Sequence, residues 1–215
     1  MNGEGINIYG GRTNDQSKRI TVAMNQARRV VGRMQRDAEK IAAKYGGSVT
    51  PMNLKSRASV ERKIKADGAK GDVTSIKDLA RTTIIVPEDQ IENVLSDLKG
   101  LKGHMRTKRQ YEEDKFHGYT GNIVNVMYNG VPTEIQVNTA KMIYAKEKFK
   151  DAYRILGKEK MSQVWKETGQ ASGLGHKYYE TIRGDGNMKK ARRGGTKRAK
   201  QDSKEYYGHF KSKKS

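Results

Sequence analysis

A β-hairpin between Gly118 and Thr139 is the clearest element that the hydrophobic pattern predicts. Asn129-Gly130 separates two runs of alternating residues, and Asn-Gly favours a type I′ turn because both central residues need positive φ. This turn fixes a register in which Asn125 pairs with Glu134, and side chains alternate between two faces. The apolar face, expected in the core, carries Val124, Val126, Tyr128, Val131, Ile135 and Val137. The opposite face carries Asn125, Glu134, Gln136 and Asn138, with Ile123 and Met127.

Helices and further strands are predicted on both sides of the hairpin. Helical periodicity indicates a long helix from about Asn14 to Tyr45, ended by a glycine pair, and an amphipathic helix over 88–101. A β-branched run over 81–86 and an alternating run over 104–111 predict strands, and further helices follow Thr139. The sequence therefore predicts an α+β fold, with a mixed β-sheet of about four or five strands and flanking helices.

Composition divides the chain into three parts. Residues 1–13 are glycine-rich and expected to be flexible, and residues 14–183 carry the apolar periodicity of a folded domain. Residues 184–215 are rich in lysine and arginine and predict a basic disordered tail. Tyr206, Tyr207 and Phe210 are interleaved with these cations, a pattern that favours stacking on nucleic-acid bases.

The formal net charge of +20 indicates a polyanionic partner: RNA, DNA, nucleotides or an acidic cognate protein. The sequence contains no cysteine, which excludes disulfides and cysteine-based zinc sites. No apolar run reaches membrane-spanning length and no signal peptide is recognisable. We therefore expect no membrane partner and a cytoplasmic site of action, and delivery into a target cell by a dedicated export machine stays open.

Candidate ligand-binding and catalytic residues lie on three stretches of the chain. Lys55, Ser59 and Lys63 are spaced four apart on a predicted helix, so they stack on one side and suit a polyphosphate. Asp78 lies at the mouth of the 81–86 strand. Glu134 lies on the polar face of the hairpin, where it suits a metal or a proton transfer. An ordinary solvated surface is the alternative for each stretch.

The order of these motifs resembles a known family. Lys55-x3-Ser59-x3-Lys63 is followed by Asp78 before a strand. Then come Lys115-x2-Gly118-Tyr119, and Glu134-Ile135-Gln136 ahead of Thr139 and a helix. Over about residues 50–156 this resembles the nucleotidyltransferase (synthetase) domain of RelA/SpoT-family alarmone synthetases, nearest the small toxin-like or effector members. No His-Asp dipeptide occurs, so the resemblance does not extend to the family's hydrolase domain.

The resemblance implies an ATP-dependent transfer of pyrophosphate to the ribose 3′-OH of a purine nucleotide, with Mg²⁺ as cofactor. Lys55, Ser59, Lys63 and Lys115 would bind the ATP phosphates. Asp78 and Glu134 would hold the metal and act in catalysis.

On the acceptor side, Tyr119 would stack on the base, and Arg106 and Lys108 are expected to line the acceptor pocket. A cognate inhibitor protein is a further possible partner.

Several positions depart from the family pattern, and they leave the acceptor open. The family has arginine where this chain has Asn53, Thr83 and Asn138, and the Ser and His of its Gly-Tyr motif are Gly121 and Ile123. The acceptor is GDP or GTP, ADP or ATP, or the 3′ end of an RNA such as tRNA. A non-catalytic nucleic-acid-binding protein on a synthetase fold is the alternative from another functional class.

Overall fold

The structure is a computed structural model that describes residues 16–66, 72–110, 117–183 and 193–211. The chain divides into two compact units. The first takes in residues up to 108 together with 123–137, and the second takes in residues 109–122 and those from 138 onward. Among the helices of the described residues, none is both long and apolar enough to cross a membrane.

A six-stranded, mostly antiparallel sheet forms the framework. The strands are β1 (Ser48–Val49), β2 (Asn53–Leu54), β3 (Ala80–Ile85), β4 (His104–Gln110), β5 (Gly121–Tyr128) and β6 (Val131–Asn138). Their order is β1-β3-β6-β5-β4, and β2 also pairs with β3. The predicted α+β fold is confirmed. The two-residue strands β1 and β2 raise the strand number above the prediction, because such short strands show no alternation in sequence.

The predicted hairpin is present with its turn at Asn129-Gly130. These residues have φ values of 48° and 77°, the positive values that a type I′ turn requires. All six residues of the predicted apolar face are buried. On the opposite face Asn125 is fully buried and Glu134 is half-buried, so this face is not an ordinary solvated surface.

Helix α1 (Gln16–Lys44) covers the sheet of the first unit, where it contacts β1 and β3. Its predicted stripe is largely buried: Ala23, Ala27, Val30, Met34, Ala38, Ile41 and Ala42. The helix ends at Lys44, and Gly46 adopts a φ of 63° just after it. Two further helices complete this unit, α2 (Arg57–Ala66) and α3 (Ile91–Lys99).

Four helices dominate the second unit: α4 (Ala140–Lys146), α5 (Phe149–Thr168), α6 (Leu174–Arg183) and α7 (Arg193–Gly208). Thr139, after which helices are predicted, caps α4, since its hydroxyl accepts a hydrogen bond from the Met142 N–H at 3.2 Å. Gly157 interrupts α5 with a non-helical φ of 74° and ψ of 168°.

The prediction of a disordered basic tail is wrong for residues 193–211. Residues 193–208 form helix α7. The aromatic residues expected to stack on bases are buried instead: Tyr206, Tyr207 and Phe210 are 4%, 4% and 2% exposed. With Ala199 and Ser203 they form a buried stripe of helical period. Because alanine and serine are only weakly hydrophobic, this stripe is hard to recognise in a lysine-rich sequence. The remaining tail residues, 184–192 and 212–215, lie outside the described part.

Replacing Phe210 with alanine tests this packing. Phe210 lies against Tyr144 and Tyr206, with ring centroids 5.9 and 5.0 Å away. We expect Phe210→Ala to lower the free energy of unfolding by about 3–5 kcal/mol, measured by urea denaturation and circular dichroism. The control is Phe149→Ala, because Phe149 is 61% exposed and its loss should cost only about 0.5 kcal/mol. Equal effects of the two changes would contradict a packed C-terminal helix.

Candidate active site

Two lysines hold the carboxylate of Asp78 between them. Lys55 lies between β2 and α2, Lys63 lies on α2, and Asp78 lies just before β3. The Lys55 Nζ donates to Asp78 Oδ2 at 2.7 Å, and the Lys63 Nζ donates to Oδ1 at 3.0 Å. The predicted row of Lys55, Ser59 and Lys63 therefore converges through its two cations on the predicted metal-binding aspartate.

The backbone around Lys55 fixes this arrangement. The Lys55 N–H donates to the Leu79 carbonyl at 2.9 Å, which ties the start of α2 to the start of β3. The Ser56 hydroxyl accepts from the Ser59 N–H at 3.3 Å and so caps α2 at its N-terminus. A serine directly before a helix is a typical cap.

The two ammonium groups keep Asp78 ionised. Its side chain is 14% exposed. Burial alone would raise the pKa of this carboxyl, but the hydrogen bonds and charges of Lys55 and Lys63 outweigh burial and hold the Asp78 pKa below its ordinary value. Two cations facing one carboxylate leave an excess of positive charge, which suits an anionic ligand.

A cavity of about 310 Å³ opens on one side of Asp78. Its lining residues are Asn53, Leu54, Lys55, Ser56, Ser59, Asp78 and Arg81. Arg81 thus brings a guanidinium to the predicted phosphate-binding residues. Thr83, which stands where the family has arginine, is buried, and its backbone N–H donates to the Thr50 hydroxyl at 3.0 Å.

A second cavity, of about 220 Å³, brings Asp78 and Glu134 together. It is lined by Lys63, Ser75, Lys77, Asp78, Arg106 and Glu134. Asp78 therefore lines both cavities, and Lys63 also lines the second. Two carboxylates and three cationic side chains around one small volume suit a phosphorylated ligand that carries a divalent cation.

Amide side chains hold the polar groups of this second cavity. The Gln136 Nε2 donates to Glu134 Oε1 at 2.8 Å. The Arg106 Nε donates to the Asn125 Oδ1 at 2.7 Å, and the Asn125 Nδ2 donates to the Thr133 carbonyl at 3.0 Å. Asn125 is completely buried, so it fixes Arg106 against the sheet. The paired positions Asn125 and Glu134 of the hairpin therefore both serve this site.

The carboxylate pair fits Mg²⁺. The described residues contain no cluster of three or more His, Cys, Asp or Glu side chains. Mg²⁺ is usually held by one or two carboxylates together with substrate phosphates and water, rather than by an all-protein cage. Asp78 and Glu134 on the wall of one cavity meet that requirement.

Tyr119 belongs to the second unit, where three side chains surround it. Its hydroxyl accepts a hydrogen bond from the Asn138 Nδ2 at 2.7 Å. The Lys146 Nζ lies 5.7 Å from the ring centroid, and the Tyr207 ring packs edge-on with centroids 5.6 Å apart. Asn138, where the family has arginine, thus holds the tyrosine predicted to bind the acceptor base. A Cβ at Gly121 would lie 2.7 Å from the Tyr119 hydroxyl, which explains a glycine there.

The other predicted site residues have different outcomes. Arg106 lines the second cavity, whereas Lys108 is exposed two residues further along β4 and stays a prediction for the acceptor pocket. Lys115 lies outside the described residues. Lys77 lines the second cavity but was not among the predicted site residues, although it directly precedes Asp78 in the chain.

Comparison with known proteins agrees with this fold. No family model matches the chain. The (p)ppApp synthetase toxin Tas1 of Pseudomonas aeruginosa (strain UCBPP-PA14) is 42% identical over 149 residues, which are 68% of this chain and 33% of that protein. The chain thus spans about a third of the length of that relative.

Solved structures give the same result. In the crystal structure of the type VI effector Tas1 with its immunity protein, Tas1 matches with a TM-score of 0.77 and 33% identity, covering 90% of this chain and 96% of that chain. The small alarmone synthetase 1 from Bacillus subtilis, bound to its product pppGpp, matches in fold with a TM-score of 0.57 and 18% identity, covering 90% of each chain.

The fold and the similarity to these relatives define a protein of the alarmone-synthetase class. The sequence match to Tas1 identifies the family within this class. The chain belongs to the RelA/SpoT-like family, in the branch that includes the effector Tas1.

Replacing Asp78 with asparagine should strengthen metal-free anion binding. Without divalent metal, the Asp78 carboxylate competes with a bound phosphate for Lys55 and Lys63. Removing one charge at such distances is worth about 1–4 kcal/mol. We therefore expect Asp78→Asn to bind inorganic pyrophosphate about tenfold more tightly than the wild type does, measured by isothermal titration calorimetry in the presence of a metal chelator. Asp97→Asn is the control, because Asp97 pairs with Lys44 at 2.7 Å and lines neither cavity. Unchanged or weaker binding by Asp78→Asn would contradict the arrangement.

Proposed function

We propose that this protein transfers a pyrophosphoryl group from ATP to the ribose 3′-hydroxyl of a purine nucleotide. The observation that carries the proposal is the pair Asp78 and Glu134 on one cavity, beside the lysines that hold Asp78. An adenine nucleotide is the proposed acceptor, because the relative that is 42% identical is a (p)ppApp synthetase toxin.

In the proposed reaction the 3′-oxygen of the acceptor attacks the β-phosphorus of ATP. The bond between the β-phosphorus and the oxygen that bridges it to the α-phosphorus breaks, and AMP leaves. Glu134 accepts the proton of the 3′-hydroxyl, since a carboxylate beside a nucleophile acts as general base. The negative charge on the transferred group is balanced by cations, and Lys55, Lys63 and Arg81 are the side chains proposed to supply them.

Several further residues have proposed binding roles. Ser59 would donate its hydroxyl to a donor phosphate, and Lys115 would contact the phosphates near the reacting centre. On the acceptor side Tyr119 would stack on the base, with Arg106 and Lys108 toward the acceptor phosphates. Mg²⁺ bound by Asp78 and Glu134 would neutralise phosphate charge during transfer.

Glu134→Gln tests the catalytic assignment. The substitution keeps the size of the side chain but removes the proton acceptor, so we expect at least a hundredfold loss of kcat in an assay with labelled ATP, Mg²⁺ and adenine nucleotides. Thermal stability should stay close to that of the wild type. Glu159→Gln on the exposed surface of α5 is the matched control and should keep full activity. Wild-type-like transfer by Glu134→Gln would reject this assignment, and no transfer by the wild type would reject the enzyme proposal.

We also propose that the protein is a toxic effector that acts in the cytoplasm of a target cell, where ATP is available. Tas1, which shares its fold, is a type VI effector with an immunity protein. A cognate inhibitor with an acidic surface would suit the net charge of +20. Growth arrest on expression that disappears in Glu134→Gln supports this role, whereas harmless high expression of the active enzyme contradicts it.

RNA is a second candidate acceptor, and one observation favours it. A cavity of about 590 Å³ in the second unit is lined mainly by basic side chains of α7. Its lining residues are His117, Lys197, Arg198, Lys200, Gln201, Asp202 and Lys204. Exposed cations on one helix suit a phosphate backbone. Because the aromatic residues of α7 are buried, this surface would contact phosphates and not bases.

Charge reversal of this surface tests the RNA candidate. We expect Lys197→Glu/Lys200→Glu to weaken tRNA binding about tenfold or more and to flatten its salt dependence, measured by fluorescence anisotropy at two salt concentrations. Lys99→Glu/Lys102→Glu is the matched control, since it reverses two exposed lysines with the same spacing in the first unit. Equal loss in both variants would indicate a non-specific effect of net charge.

The identity of the acceptor needs a measurement of transfer, separate from binding. Label transferred from ATP to tRNA and not to free nucleotides would favour RNA as the acceptor. Binding of tRNA that survives Glu134→Gln, in a protein without transferase activity, would favour the non-catalytic alternative. Deleting residues 184–215 cannot separate these cases, because it also removes the core residues Tyr206, Tyr207 and Phe210.

A further inference from the structure

We propose that helix α7 is a positioning element of the acceptor site, which holds the loop that carries Tyr119. The residues that position this loop are Ser203 and Tyr207 of α7, together with Asn138 of β6. The proposal rests on the proposed function for the role of Tyr119, while the contacts themselves do not depend on that role.

Helix α7 contacts three consecutive residues ahead of β5. The buried Ser203 hydroxyl donates to the His117 carbonyl at 2.8 Å. His117 has a positive φ of 52°, which is uncommon for a residue with a side chain. Such a conformation persists when the surrounding structure enforces it, and Ser203 supplies one of the enforcing contacts.

Gly118 lets the helix backbone approach the loop. Gly118 has a φ of 88°, and a Cβ built on it would lie 2.8 Å from the Lys204 Cα and 3.1 Å from the Tyr207 Cβ. A side chain at this position would push α7 away. The glycine of the Gly-Tyr motif is therefore needed in this chain both for its backbone conformation and for contact with the C-terminal helix.

Tyr119 is then fixed at both ends of its side chain. Tyr207 packs edge-on against the ring, and Asn138 donates to the hydroxyl. Tyr207 is 4% exposed and packs in turn on Tyr206, with centroids 5.6 Å apart. A ring that is already ordered loses little conformational entropy when a base stacks on it. The helix therefore lowers the cost of binding the acceptor, and its loss should raise the KM for the acceptor more than it changes kcat.

Substitutions of Tyr207 test this role. We expect Tyr207→Leu, which removes the ring, to raise the acceptor KM about tenfold with little change in the KM for ATP. Tyr207→Phe keeps the ring and should restore the acceptor KM. Phe210→Leu is the matched control, because Phe210 is equally buried near the end of the same helix and contacts Tyr144 and Tyr206. It should reduce stability and leave the acceptor KM unchanged.

A pair of glycine substitutions tests the close approach. Gly118→Ala strains the backbone and meets α7, whereas Gly130→Ala strains a similar backbone with φ of 77° and meets nothing within 4 Å. We expect only Gly118→Ala to raise the acceptor KM. Equal effects at the two glycines would overturn the proposed contact.

Hydrogen exchange gives a readout that does not depend on activity. We expect backbone amides of residues 117–119 to exchange at least tenfold faster in Tyr207→Leu than in Phe210→Leu. Faster exchange in a protein that transfers no pyrophosphate would uphold the contact and reject the proposed function. Unchanged exchange, or the same KM changes in Tyr207→Leu and Phe210→Leu, would overturn the positioning role.

Discussion

The charge of Asp78 is the constraint on which the site depends. A carboxylate that is 14% exposed is costly to bury, and the ammonium groups of Lys55 and Lys63 offset that cost. The same contacts join α2 to the start of β3, so the charged groups of the site also connect the elements that carry them.

The hairpin shows how much of the site local sequence can predict. The turn at Asn129-Gly130 sets the register, the register sets the faces, and the faces place Glu134 away from the core. Each step follows from backbone geometry over neighbouring residues, and the structure agrees in the turn conformation and in the burial of the apolar face. The pairing of Lys55 and Lys63 with Asp78 is of another kind, because it joins residues 23 and 15 positions apart. The order of the motifs and the family resemblance predict that these residues belong to one site, but not that the two lysines pair with the aspartate.

The C-terminal segment shows where such reasoning fails. Lysines dominate its composition, and composition is a poor guide when a narrow buried stripe includes Ala199 and Ser203. What decides the structure is the hydrophobic cluster that receives Tyr206, Tyr207 and Phe210, and it includes residues more than 40 positions earlier, such as Met142 and Met161. The sequence places Asn125 on the polar face of the hairpin but does not predict its complete burial. Its hydrogen bond with Arg106 joins two strands, and no local pattern encodes such a contact.

The contact between Ser203 and His117 spans 86 residues of sequence. During synthesis the loop with Tyr119 leaves the ribosome long before the helix that packs on it. All described residues of the sheet strands and of the Asp78 cavities precede residue 139, whereas the loop with Tyr119 needs Ser203 and Tyr207 for its contacts. A nascent or prematurely terminated chain therefore has the residues around Asp78 first and lacks the helix that supports this loop. Messages cut short before codon 203 would then yield chains that lack this support.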